Sequence, residues 1–154
     1  MNILVLNWQD RLNPFAGGAE THLHEIFSRV AAAGHQVTLY CSSFAGAKAE
    51  EVLDGMQIIR EGGRNTFNFH VPRRYHKDFR HRGFDIVVDD INKIPFFTPM
   101  YVREPILALA HHLFGTSIFA EAGAIAGSYV FASEMLLPRV YHSTRFAVVC
   151  RERT

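Results

Sequence analysis

The chain is poor in the features that mark stapled, metal-built or charge-driven proteins. Only two of its 154 residues are cysteine, Cys41 and Cys150. Two thiols so far apart make neither a metal-ligand spacing nor a disulfide framework. Each follows an apolar run, so both are expected as buried free thiols at strand ends. The net charge is only +1 with histidine neutral, which argues against nucleic acid as a partner of the whole surface. Met1-Asn2-Ile3 lacks the basic leader of a signal peptide, which makes a cytoplasmic location the expectation. There is no internal repeat, low-complexity tract or linker.

Familiar site motifs are missing too. No G-x-G-x-x-G follows the first strand-like run, and the second ends Tyr40-Cys41-Ser42 rather than in an acid, unlike a dinucleotide dehydrogenase. No G-x-x-x-x-G-K-[ST] phosphate loop and no G-x-S-x-G nucleophile elbow occurs. There are nine histidines, but none has metal-ligand spacing. His22 and His24 stand about 200° apart around a helix, so they cannot share a metal without outside ligands.

What is present is the alternation of a parallel α/β sheet. Apolar residues make up 48% of the chain, enough for one domain with a real core. Asn2 to Asn7 is continuously apolar at its centre, as in a strand covered on both faces. A loop, Trp8 to Phe15, carries the turn signal Asn13-Pro14. Ala19, Leu23, Ile26, Phe27 and Val30 then recur at helical spacing, predicting a helix over 18–33 that Gly34 ends. Gln36 to Cys41 is a second strand, completing a strand–helix–strand unit. Further strands are expected at Met56–Arg60, Phe84–Asp89, Pro105–Ala110 and Phe146–Cys150. Short helical structure is expected around 47–53, and a basic helix opened by Pro72 over 73–82. The apolar stretch Ile118 to Leu137, interrupted by Glu121, Glu134 and two glycines, reads as a buried or membrane-touching helix rather than a span. The fold class is therefore a single Rossmann-like, doubly wound α/β domain with a mainly parallel sheet of about six strands and helices on both faces.

Three places carry candidate chemistry. Gly17-Gly18 stands where a loop meets a helix start, where free amides and the helix dipole can hold an anion and glycine admits its close approach. Without a ligand the same residues make a tight turn, and Glu20 simply favours the helix dipole. Asp90, Asn92 and Lys93 lie past a strand end, where open parallel sheets bind ligands, or else form an Asx-type turn. His111, with His112, follows another strand end and suits acid–base work or a structural role. The basic run, with Arg73, Arg74, Lys77, Arg80 and Arg82, is a solvated face or a contact for anionic lipid or phosphate.

Taken together these pieces resemble the N-terminal half of a GT-B-fold glycosyltransferase of the retaining family 4 type. The resemblance rests on the opening strand with Asn7, on Gly17-Gly18-Ala19-Glu20-Thr21-His22, and on Ala33-Gly34-His35-Gln36-Val37-Thr38-Leu39. Phe84-Asp85-Ile86-Val87-Val88 and the strand ending at His111 complete it. It implies an acceptor-side domain facing a donor-side domain, a nucleotide sugar as donor substrate, and neither metal nor other cofactor. It implies that Gly17 and Gly18 approach the donor diphosphate, with Glu20 among the substrate-binding residues. It puts His111 at the transferred sugar as the catalytic histidine, and Asp90, Asn92, Lys93 and His112 on the acceptor side. The acceptor would be a lipid-linked or polysaccharide precursor, reached with peripheral contact to the inner membrane surface. The family's chain continues into a donor domain past the point where this one reads Arg151-Glu152-Arg153-Thr154. The expectation is thus a catalyst incomplete on its own, needing the missing C-terminal domain or a partner chain that supplies it, with one half of a split enzyme as an alternative. The competing expectation is a non-catalytic binding module.

Overall fold

A computed structural model describes residues 1–92, 94–111 and 115–148, without the side chains of Glu121 and Ala122. Its elements run β1 (Asn2–Leu6), α1 (Gly18–Ala32), β2 (Gln36–Cys41), β3 (Glu50–Leu53), β4 (Met56–Arg60), α2 (Phe67–Lys77), β5 (Ile86–Ile91), β6 (Ile106–Ala110), α3 (Ile118–Val140) and β7 (Arg145–Val148). The seven strands form one sheet in the order β3-β4-β2-β1-β5-β6-β7. Every pairing is parallel except β3 with β4.

Both faces of the sheet are covered, as its unbroken apolar strands require. On one face Ile3, Val5, Val37, Leu39 and Val88 pack against Leu23 and Phe27 of α1. On the other, Leu4, Leu6, Tyr40 and Val87 pack against Phe67, Val71 and Tyr75 of α2. Ile91 and Ala108 meet Leu137 and Tyr141 around the end of α3 on that same side.

Three expectations are corrected. Residues 50–53 form a strand, giving seven rather than six. The hairpin to β4 turns at Asp54-Gly55, with φ of 48° and 83°, the left-handed pair that a two-residue hairpin demands. The basic helix starts at Phe67, not after Pro72, and Pro72 lies inside it. Phe67, Val71 and Tyr75 stand four apart and are all buried. Burial of that stripe outweighs the hydrogen bond Pro72 cannot make. The segment is also less available to anions than its composition suggests, since Arg74 and Arg82 both pair with Asp78 and Arg74 also with Glu61.

Among the described residues no helix is long and apolar enough to cross a membrane. α3 is interrupted at Gly123, whose φ of 75° and ψ of 177° are not helical. Cys41 is a buried free thiol as expected. Cys150 lies outside the described residues, as do Lys93 and His112.

Candidate active site

The carboxyl ends of β1, β5 and β6 and the first turns of α1 converge on one polar cluster. β5 and β6 pair with Asp90 opposite Leu109. Val88 and Leu109 share the α1-side core, so strand alternation turns Asp90 and His111 toward α1. His111 Nδ1 lies 2.7 Å from Asp90 Oδ1. Its Nε2 lies 3.1 Å from Nδ1 of His22, one turn into α1. The two rings meet edge to face, with centroids 5.3 Å apart.

A second chain of bonds fixes the glycine loop to this cluster. Glu20 Oε2 accepts the Gly17 amide at 2.7 Å, the return half of a capping box. Its Oε1 accepts Asn92 Nδ2 at 3.1 Å, and Asn92 Nδ2 also donates to Asn7 Oδ1 at 3.0 Å. Asn7 in turn donates to the Gln9 carbonyl and accepts the Trp8 amide. Glu20 and Asn92 are buried, and Asp90 is wholly so. Asp90 and Asn92 therefore do not sit in a solvent-facing Asx turn. Asp90 belongs to β5 and grips His111, while Asn92 ties the β5 end to α1 and β1.

The glycines have no local conformational reason to be glycine. Gly17 has φ −125°, a value open to any residue. A Cβ on Gly17 would meet nothing closer than the Glu20 carboxylate at 3.6 Å, and one on Gly18 would meet nothing within 4 Å. Glycine as the first helical residue sacrifices helix propensity, so its empty flank is room for something to approach the backbone. The first helical hydrogen bond runs from Thr21 N–H to Gly17 O. The amides of Gly18, Ala19 and Glu20 thus precede the ladder, where a helix attracts anions. Gly17's own amide is taken by Glu20, so of the glycine pair Gly18 presents the open amide.

Electrostatically the cluster is unfinished. Burial pushes the Asp90 carboxyl up to about 6, although its bond to His111 pulls the other way. Asp90 Oδ2 and Asn92 Oδ1 are buried without a hydrogen-bond partner. Such atoms are costly unless a ligand or water meets them. Among the described residues no cluster of three or more His, Cys, Asp or Glu side chains is placed to hold a metal ion. A shallow depression of about 580 Å3 opens at the opposite edge of the sheet, bordered by Asn2, Gln36, Gln57 and Phe84. None of the unpartnered buried atoms lies there, so it lacks the chemistry of the β1–β5–β6 end.

His22 is the residue that sequence reasoning missed as a member of this site. Its signal was its place four residues after Gly18, which puts it on the helix face that looks toward the same strand ends.

Residues 16–151 match the family model described as Glycosyltransferase Family 4. Among solved structures the fold is similar to sucrose-phosphate synthase from Thermosynechococcus elongatus, at a TM-score of 0.62 and 12% identity. That match covers 99% of this chain and 48% of the other, so the chain spans about half the length of that structure. No curated protein sequence matches the chain significantly.

Proposed function

The chain belongs to glycosyltransferase family 4, and from that premise we propose that it is the acceptor-side domain of an enzyme moving a sugar from a nucleoside diphosphate to an acceptor with retained configuration. The observation that carries the proposal is the convergence of the open Gly18 flank and the Asp90-held His111 at one end of the sheet.

In this reading the Gly18 end of α1 meets the donor diphosphate. The helix dipole and the amides before the ladder favour the charge that builds there as the anomeric C–O bond breaks. The acceptor oxygen forms the new bond from the face the diphosphate leaves, and its proton passes to the departing phosphate. Asp90 fixes the ring of His111, whose Nε2 accepts a hydrogen bond from a hydroxyl of the transferred sugar. Asn92 and Glu20 hold the loop rather than touch the reacting atoms, because their bonds to Asn7 and Gly17 already engage them. Lys93 and His112 remain acceptor-side candidates on the resemblance alone. A donor-side domain, in the same polypeptide or a partner chain, supplies the remaining donor contacts and closes the cleft against water. The acceptor is a lipid-linked or polysaccharide precursor, met at the cytoplasmic membrane surface.

The test is transfer from radiolabelled nucleotide sugars with the donor-side domain present. His111→Ala should lower kcat by at least about 100-fold while leaving donor KM within a few-fold, the pattern of a group acting in the transition state. Wild-type turnover by His111→Ala would remove the histidine from the mechanism, and inverted product would overturn retention.

A further inference from the structure

His111 carries a second partner that its bond to Asp90 does not explain. We propose that His22 is a positioning residue for His111: the rings share one hydrogen bond between His111 Nε2 and His22 Nδ1, and so hold a single N–H between two facing nitrogens. The proton arrangement stands on geometry alone; what the ring is for rests on the glycosyl-transfer reading.

Chemical bookkeeping fixes the pattern. A carboxylate can only accept, so with Asp90 ionised the proton at the 2.7 Å contact sits on His111 Nδ1. A neutral imidazole has one N–H, which leaves His111 Nε2 as a bare acceptor. At 3.1 Å the facing His22 Nδ1 must then be the donor. His22 is held as its Nδ1–H tautomer, with Nε2 bare. One added proton fits: either His22 becomes the cation and still donates, or His111 does and His22 switches tautomer to accept. A second would set two N–H groups against each other at 3.1 Å.

The titratable groups facing this pair, among the described residues, are Asp90 from β5 and Glu20 from α1, while Asp89 acts from the opposite face of β5. Glu20 is already spent on Gly17 and Asn92, so Asp90 and the second ring set the protons on His111.

The arrangement has a functional meaning. His22 Nδ1–H occupies the atom of His111 that a sugar hydroxyl would donate to, and it presents the same chemistry, one N–H in place of one O–H. It keeps Nε2 unprotonated and aimed while the site is empty, and a bound hydroxyl replaces it.

The experiment is 15N-resolved imidazole NMR on the 154-residue chain, where nitrogen shifts report tautomer and hydrogen bonding directly. At about pH 8, above the Asp90 range, both His22 and His111 should show the Nδ1–H tautomer. His22→Ala should leave His111 in the Nδ1–H form and move its Nε2 shift to that of a bare nitrogen without a donor. His22→Asn, whose amide N–H can reach the same place, should keep His111 in the Nδ1–H form with its Nε2 engaged. An Nε2–H tautomer at His22, or a His111 Nε2 shift unchanged by His22→Ala in a chain whose amide spectrum stays folded, overturns the proposal. Neither result bears on whether sugar transfer occurs. In the transfer assay, His22→Ala should displace the pH profile of kcat, with His22→Asn restoring rate at its upper end. A uniform loss at every pH in both variants would reduce His22 to a structural role.

Discussion

Two buried aspartates end up with opposite electrostatics at the same edge of the sheet. Asp10, in the loop after β1, is fully buried against Arg60 of β4 at 2.6 Å, and Arg60 also bonds Glu51 and the Lys48 carbonyl. Burial by itself would raise the Asp10 carboxyl, but Arg60 and the Leu12 amide carry it below the usual range. Asp90 has no cation of that permanence. Burial wins there, one oxygen stays unpartnered, and its partner is a titratable ring. The first arrangement is a closed ion network that locks a buried loop onto the sheet. The second is open-ended and primed to respond to a proton or a ligand, which is where chemistry is expected.

The sharpest way to break this contrast is to remove a partner from the closed network. Asp10→Ala leaves the Arg60 guanidinium buried with only Glu51 as counter-charge. Urea unfolding should show a loss of about 3–5 kcal/mol. A loss under about 1 kcal/mol would mean that the pair is not the tether it looks like.

Asp90 should behave in the reverse sense. Its folded pKa, about 6, lies above its ordinary 3.8, so the folded state binds the proton more tightly than the unfolded chain. Its contribution is fully present below about pH 4 and is lost as pH rises through 6. Asp90→Asn, which can still accept from His111, should therefore match the wild type near pH 4 and exceed it at pH 8, by at most about 3 kcal/mol. Transfer activity should fall in the same variant, the familiar conflict between stability and function. A variant less stable than wild type at pH 8 would show that Asp90 is stabilised by His111 rather than strained by burial.

Smaller still is the expected effect of Gly18→Val on the fold. With no atom within 4 Å of its Cβ position, stability should change by no more than about 0.5 kcal/mol, while donor binding should be lost. Unchanged donor affinity would mean that the open flank is not a diphosphate site. The weakest effect is expected of the basic α2 surface. With Arg74 and Arg82 engaged by Asp78, binding to vesicles containing anionic lipid should rest on Arg73, Lys77 and Arg80. It should fade between low and physiological salt, and salt-insensitive binding would point to the apolar surface of α3 instead.

The difference between the two aspartates also shows what could be read from the chain. β1, α1, β2 and the strands at 86–91 and 106–110 were legible because two-sided burial writes long apolar runs and α1 writes a clean stripe. β3 was not, because it is a short, half-exposed edge strand made by its pairing with β4. The Asp54-Gly55 turn was its only local mark. α2 was misplaced because Pro72 is a strong local signal, and the Phe67–Val71–Tyr75 stripe that overrides it gains its energy only from tertiary contact. In the candidate site, the run of sequence at the strand ends pointed to Asp90, Asn92 and His111, although Asp90 lies within β5 rather than past it. Their partners were not readable, since His22 and His111 are 89 residues apart and Asp10 and Arg60 are 50 apart. Only the sheet order brings them together.

The central claim is that the Gly18 end of α1 and His111 together receive a nucleoside diphosphate sugar. Titrating a panel of uridine, guanosine and adenosine diphosphate sugars into the 15N-labelled chain tests it most directly. The account predicts that at least one of them shifts the amides of Gly18, Ala19 and His111 together, and that Gly18→Val abolishes those shifts without disturbing the rest of the spectrum. Shifts confined to the basic surface of α2, or none at millimolar ligand, would contradict it.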